Sequence, residues 1–168
     1  MFDSMVVMGV AGCGKSSLAA AIAAAQGAPL IEGDSFHSAE SRHKMSQGVA
    51  LTDADRAGWL DILGRELTSR GTGVVLACSA LRRVYRDRLR LASPGLRFVY
   101  LEISRSDALA RVQARAATHF FSSTLVDSQF ATLEAPTGEA GVLRLDATAS
   151  ISQLLQEVGT WLKHPQPQ

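Results

Sequence analysis

Short apolar runs alternate along the chain with longer stretches of helical spacing, the pattern of an α/β fold built on a parallel sheet. Residues 5–8 are uniformly apolar, as a strand buried on both faces requires. Residues 17–25 are alanine-rich and predict the first helix. Gly27-Ala28-Pro29 breaks it, and Leu30-Ile31 opens a second short strand that ends in Glu32-Gly33-Asp34. Residues 35–45 are polar and mixed, and 48–51 read as a loop. Thr52 has the character of an N-cap, with Asp53 and Asp55 in the first turn of a helix reaching about residue 69; Trp59, Leu60, Leu63 and Leu67 form its apolar stripe. Residues 74–78 predict the third strand. A basic helix follows, with Arg82, Arg86 and Arg90 on one face, and 98–101 predict the fourth strand. A helix from Ser104 or Ser106 carries Arg111 and Arg115, is interrupted at 118–121 and resumes over 125–133. Residues 142–145 give the fifth strand and 151–162 a closing amphipathic helix; 164–168 read as a flexible tail.

Composition narrows the class. A chain of 168 residues, 46% hydrophobic and 20% charged, is expected to be one globular domain with a full core. Its net charge of +1 gives no electrostatic reason to expect a nucleic-acid or membrane-surface partner, and no apolar run is long enough to span a bilayer. The first residues run straight into a strand and leave no room for a signal peptide. Two distant cysteines, Cys13 and Cys78, suit a reducing cytoplasm.

The chemistry begins at Gly9-Val10-Ala11-Gly12-Cys13-Gly14-Lys15-Ser16, which fits G-x-x-x-x-G-K-[ST] between a predicted strand and a predicted helix. Glycines let backbone N–H groups converge on phosphate oxygens, and the helix N-terminus adds unpaired donors. Lys15 is expected to neutralise the β- and γ-phosphates of ATP, Ser16 to ligate Mg²⁺, and Ser17 to complete the loop. Glu32 and Asp34 fall at the carboxyl edge of the sheet, where open α/β sheets bind ligands. No guanine-reading N-K-x-D occurs; Asp55-Arg56-Ala57-Gly58 matches D-x-x-G only inside a predicted helix, and the third strand ends in Cys78-Ser79 without a Walker-type acid. A small phosphotransferase is the expectation.

Beyond the loop, the chain carries Glu32-Gly33-Asp34 with His37, Lys44-Met45, Asp53, Asp55-Arg56, Trp59-Leu60, Cys78-Ser79-Ala80-Leu81, Tyr85-Arg86-Asp87, His119-Phe120, Ser128-Gln129 and Leu133-Glu134. With these it resembles the gluconokinase family from about residue 7 to 136. The resemblance implies an adenylate-kinase-like, three-layer P-loop fold with a five-stranded parallel sheet, formed as one domain over 1–163. It implies an acceptor-binding helical segment at about 35–69, a lid at about 111–122, and a homodimer. The implied reaction is phosphorylation of D-gluconate on its 6-hydroxyl by MgATP. The chain departs from the family at Glu32 (usually Asp), at Ser38, Ser41, Ala50 and Gly58, and at Arg82 (usually Lys).

On this resemblance Asp34 is the residue that orients or deprotonates the acceptor hydroxyl, with Lys15 and Arg115 acting on the transferred group and Glu32 assisting Mg²⁺. His37, Arg56, Arg82, Arg86 and His119 are candidate acceptor contacts, the arginines because a guanidinium clamps a carboxylate with two hydrogen bonds. Arg111 and Arg115 are candidates to close over ATP. The plainer alternatives are an N-cap for Asp34 and solvated helix faces with local ion pairs for the arginines. Cys13, where the family commonly has Ser, sits at a helix N-terminus beside Lys15, which favours a reactive thiolate that ATP would shield; Cys78 reads as strand packing. Two other functions stay open: the same fold with another acceptor (a different sugar acid, shikimate or a nucleoside monophosphate), and a non-catalytic ATP-binding module.

Overall fold

The computed structural model describes residues 2–115 and 123–164. Strands β1 (Met5–Met8), β2 (Leu30–Glu32), β3 (Val75–Ala77), β4 (Arg97–Glu102) and β5 (Val142–Asp146) form one parallel sheet in the order β2-β3-β1-β4-β5. Val6 of β1 is in register with Leu76 on one side and Phe98 on the other. Among the described residues the helices are α1 (Lys15–Gln26), α2 (Ala39–Ser46), α3 (Asp53–Arg70), α4 (Arg83–Ala92), α5 (Arg105–Arg115), α6 (Ser123–Thr132) and α7 (Ile151–Lys163).

The period of two in β1 divides the molecule into layers. Met5 and Val7 pack with Leu18 and Ile22 of α1 and Leu154 and Val158 of α7. Val6 and Met8 face the other way, against Leu60, Leu63 and Leu67 of α3 and Leu89 of α4. All four β1 residues are fully buried, so the uniformly apolar run is what the centre of a two-sided sheet demands. Each such aliphatic side chain contributes about 1.5–3 kcal/mol by leaving water.

The predicted strands and helices are present among the described residues, with two additions. Residues 33–36 form a 3₁₀ turn, and Ala39–Ser46, within the stretch expected to be irregular, forms α2. Ser38 caps α2 by accepting from the Ser41 N–H at 3.0 Å. The expected Thr52 cap is a reciprocal one: Thr52 Oγ1 accepts from the Asp55 N–H, and Asp55 Oδ2 accepts from the Thr52 N–H. His119, most of the expected lid and residues 165–168 of the tail lie outside the described residues.

Candidate active site

The loop between β1 and α1 shapes one wall of a cleft of about 730 Å³. Gly12 has φ of 84°, and a Cβ there would stand 2.8 Å from the Ala108 carbonyl oxygen, so α5 can pack against the loop only because this residue is glycine. Across the cleft, Gly33 lets β2 end against β3: a Cβ at Gly33 would meet the Ala77 carbonyl oxygen at 2.5 Å. That glycine separates the two carboxylates and delivers both to the sheet edge.

Ala11, Gly12, Gly14, Lys15, Ser16 and Ser17 line the cleft. Gly9, Val10 and Cys13 belong to the loop but lie beneath it, and Cys13 is only 2% exposed. The reactivity expected of Cys13 from its place at a helix N-terminus is therefore corrected: burial closes the thiol to reagents. Cys78 is fully buried, and desolvation pushes its thiol up to about 12.

Ser16 Oγ donates to Glu32 Oε1 at 3.1 Å. Burial raises the Glu32 carboxyl above its ordinary value, against the opposing hydrogen bond from Ser16. Asp34 lies on the cleft with its carboxylate 64% exposed and His37 Nε2 at 3.5 Å from Oδ1. Desolvation pulls its pKa up, but the contact with His37 and the charges of Lys15 and Arg42 outweigh that and leave it below the ordinary value. The His37 ring stacks on Trp59, with centroids 4.2 Å apart, and Trp59 Nε1 donates to the Gly33 carbonyl at 2.8 Å. The His37–Trp59 pair thus fixes the turn that carries Asp34.

The arginines divide. Arg56 and Arg115 line the cleft. Arg56 is mostly buried; it donates from one terminal nitrogen to Tyr85 Oη at 3.3 Å, and no carboxylate among the described residues pairs with it. Arg82 and Arg86, expected as acceptor contacts, do not line the cleft. Arg82 bonds Asp53 at 2.8 Å and Glu134 at 3.1 Å. Arg86 is 1% exposed, makes a two-pronged pair with Glu139 at 2.8 and 2.9 Å, and donates to the Ala80 and Glu134 carbonyls. Its bond to Ala80 supports a non-glycine residue at φ 45°, the turn that presents Ser79 to the cleft. Both guanidiniums hold carboxylates of this chain, Arg86 in a buried pair and Arg82 in exposed ones. Arg111, expected over the nucleotide, braces the loop from outside by donating to the Gly12, Cys13 and Ala147 carbonyls.

Two cleft residues carried no role in the sequence. Arg42 on α2 donates to the Ser35 and His37 carbonyls, and its helix had no apolar stripe to announce it. Gln129 on α6 accepts from the Ala11 N–H through Oε1 at 2.7 Å, so its NH₂ group faces away from that loop amide. The only sequence signal for Gln129 was its place in the resemblance.

An AAA-domain family model matches residues 5–137. The chain is 40% identical over 157 residues to a gluconokinase of Gluconobacter oxydans (strain 621H), covering 92% of this chain and 88% of that protein. It is 37% identical over 159 residues to the thermosensitive gluconokinase of Escherichia coli (strain K12), covering 92% and 84%. A solved gluconokinase from Sinorhizobium meliloti 1021 superposes with a TM-score of 0.87 at 46% identity, covering 96% of this chain and 91% of that one.

Proposed function

The chain belongs to the gluconokinase family, and on that footing we propose that it transfers the γ-phosphoryl group of ATP to the 6-hydroxyl of D-gluconate. The O6–P bond forms as the bond from phosphorus to the ADP oxygen breaks, and the O6 proton passes to Asp34. The observation that carries the acceptor class is Arg56: a largely buried guanidinium on the cleft with no carboxylate of its own among the described residues. A carboxylate-bearing acceptor answers that charge. Asp34 is ionised at neutral pH, open to the cleft, and held by His37, which suits it to take or align a hydroxyl proton.

In this reading Lys15 neutralises the phosphates, the loop amides cradle them, and Arg115 stabilises charge on the moving group. His37 and Arg56 hold the acceptor within a single kinase domain over 1–163, and the region from Arg111 onward closes over the site; His119 stays a candidate lid contact. The donor set fits Mg²⁺. Ser16 and Glu32 offer hard oxygens at the phosphate loop, and no group of three or more His, Cys, Asp or Glu that could cage a metal occurs among the described residues. When bound, the ion screens charge on the phosphate oxygens. Cytoplasmic residence fits two free, buried cysteines, and a homodimer fits Val84 and Leu91, exposed on one face of α4.

The test is coupled ADP release with MgATP and gluconate, sorbitol, shikimate or AMP as acceptor. Turnover with gluconate that exceeds turnover with uncharged sorbitol, together with a raised gluconate KM in Arg56→Ala, supports the proposal. Turnover with shikimate or AMP and none with gluconate, or MgATP binding without turnover on any acceptor, contradicts it.

A further inference from the structure

Arg56 is held in an unusual way for a mostly buried cation. Its hydrogen bond goes to a phenol, Tyr85 Oη, and the Tyr85 hydroxyl in turn donates to Asp53 Oδ1. Asp53 Oδ2 accepts from Arg82 at 2.8 Å, and Arg82 bonds Glu134 at 3.1 Å. The guanidinium carbons of Arg56 and Arg82 lie 5.5 and 5.8 Å from the Tyr85 ring centroid. Tyr85 is 5% exposed and does not itself line the cleft.

The direction of this relay is fixed by proton count. A phenol has one O–H hydrogen, and here it goes to Asp53, so the lone pairs of Oη are what Arg56 meets. Arg82 occupies the other oxygen of Asp53. Arg56 is thereby oriented by an acceptor without full charge. Asp53 is close enough for its charge and that of Arg56 to be felt mutually, but both of its oxygens are taken by Tyr85 and Arg82, and it makes no direct pair with Arg56. A direct Arg56–Asp53 pair would orient the guanidinium equally well but would cancel the charge a substrate carboxylate needs.

We infer that Tyr85 and Asp53 are positioning residues that aim Arg56 at the acceptor's carboxylate while leaving its charge unpaired, and so set the preference for an acidic over a neutral polyol. The inference rests on the proposed role of Arg56. A Tyr85→Phe chain keeps the ring and its packing but loses the acceptor for Arg56 and the donor to Asp53.

The experiment is steady-state kinetics on the full chain for Tyr85→Phe, Asp53→Ala, Arg56→Ala and the Tyr85→Phe/Arg56→Ala double variant, with gluconate and with sorbitol, and with thermal melting of each. Tyr85→Phe is expected to raise the gluconate KM about tenfold, the loss of one hydrogen bond to a charged group. The ATP KM, kcat with gluconate, and sorbitol turnover should stay within about twofold of wild type. In the Arg56→Ala background the same change should move the gluconate KM by less than about twofold, since the interaction it removes is already gone. Asp53→Ala should shift the gluconate KM in the same direction as Tyr85→Phe, and serves if Tyr85→Phe melts early. If Arg56→Ala raises the gluconate KM but Tyr85→Phe does not, or does so equally in both backgrounds, the relay is overturned and the proposed function stands. If Arg56→Ala leaves the gluconate KM unchanged, the assigned role of Arg56 fails and the relay fails with it.

Discussion

Replacing Glu139 with Gln should destabilise the fold in a way that depends on pH. The Glu139 side chain is 5% exposed and is gripped by Arg86 at 2.8 and 2.9 Å and by Arg90 at 2.7 Å. Burial alone would raise its carboxyl; the bonds and charges of the two arginines overcome this and bring it from 4.5 down to about 2. That difference corresponds to about 3 kcal/mol of folding free energy at neutral pH. The pKa is depressed in the folded state, so the contribution is complete above 4.5 and disappears as pH falls toward about 2. Glu139→Gln leaves the buried Arg86 without its counter-charge, and breaking such a pair costs a similar amount. Urea unfolding of wild type and Glu139→Gln at a series of pH values should show a gap of about 3 kcal/mol at pH 7, shrinking by more than half by about pH 3. A gap below about 1 kcal/mol at pH 7, or one that stays constant into acid, would refute the assignment of the Arg86 and Arg90 charges to Glu139.

Asp34→Asn should lower kcat by about 100-fold or more while MgATP affinity, read by calorimetry, is kept; because the Asp34 pKa lies below 3.8, its own acid limb in kcat/KM should fall below about pH 4. Trp59→Phe removes the bond to the Gly33 carbonyl and should cost about 1–3 kcal/mol in urea unfolding and raise the gluconate KM; an unchanged midpoint would argue against the bond. A disulfide reagent at pH 8 should titrate neither Cys13 nor Cys78 in the native chain and both in urea; rapid native reaction at Cys13 would restore the reactivity its sequence position suggests.

Features determined by neighbours in sequence were legible. The phosphate loop is local, and its flanks, a run with all four residues buried and an alanine-rich helix, carry their own patterns. The Thr52 cap was legible for the same reason, since its partner is three residues on. Helix α2 was not: only Ser41 is buried on it, so no apolar period marks it, and its Ser38 cap alone is a weak signal. The basic helix shows the other limit. Spacing grouped Arg82, Arg86 and Arg90, but Arg82 is the extended N-cap of α4. Apart from the local Arg90–Asp87 pair, their carboxylate partners Asp53, Glu134 and Glu139 are 29 to 53 residues away, where only the fold brings them near. What distinguishes Arg56 from Arg86 is therefore a tertiary fact: one has a carboxylate partner and the other has a phenol. Cys13 failed for a related reason, because its position near a helix N-terminus says nothing about the core into which its side chain is packed.

The most direct test of the central claim is ³¹P NMR of the product made from ATP and gluconate by the wild-type chain. Transfer to the 6-hydroxyl predicts one new phosphomonoester resonance, split into a triplet by the two hydrogens on that terminal carbon, growing in step with ADP and absent with Lys15→Ala. A doublet would mean transfer to a secondary hydroxyl. Inorganic phosphate in step with ADP and no ester would mean hydrolysis, and either result would contradict the account.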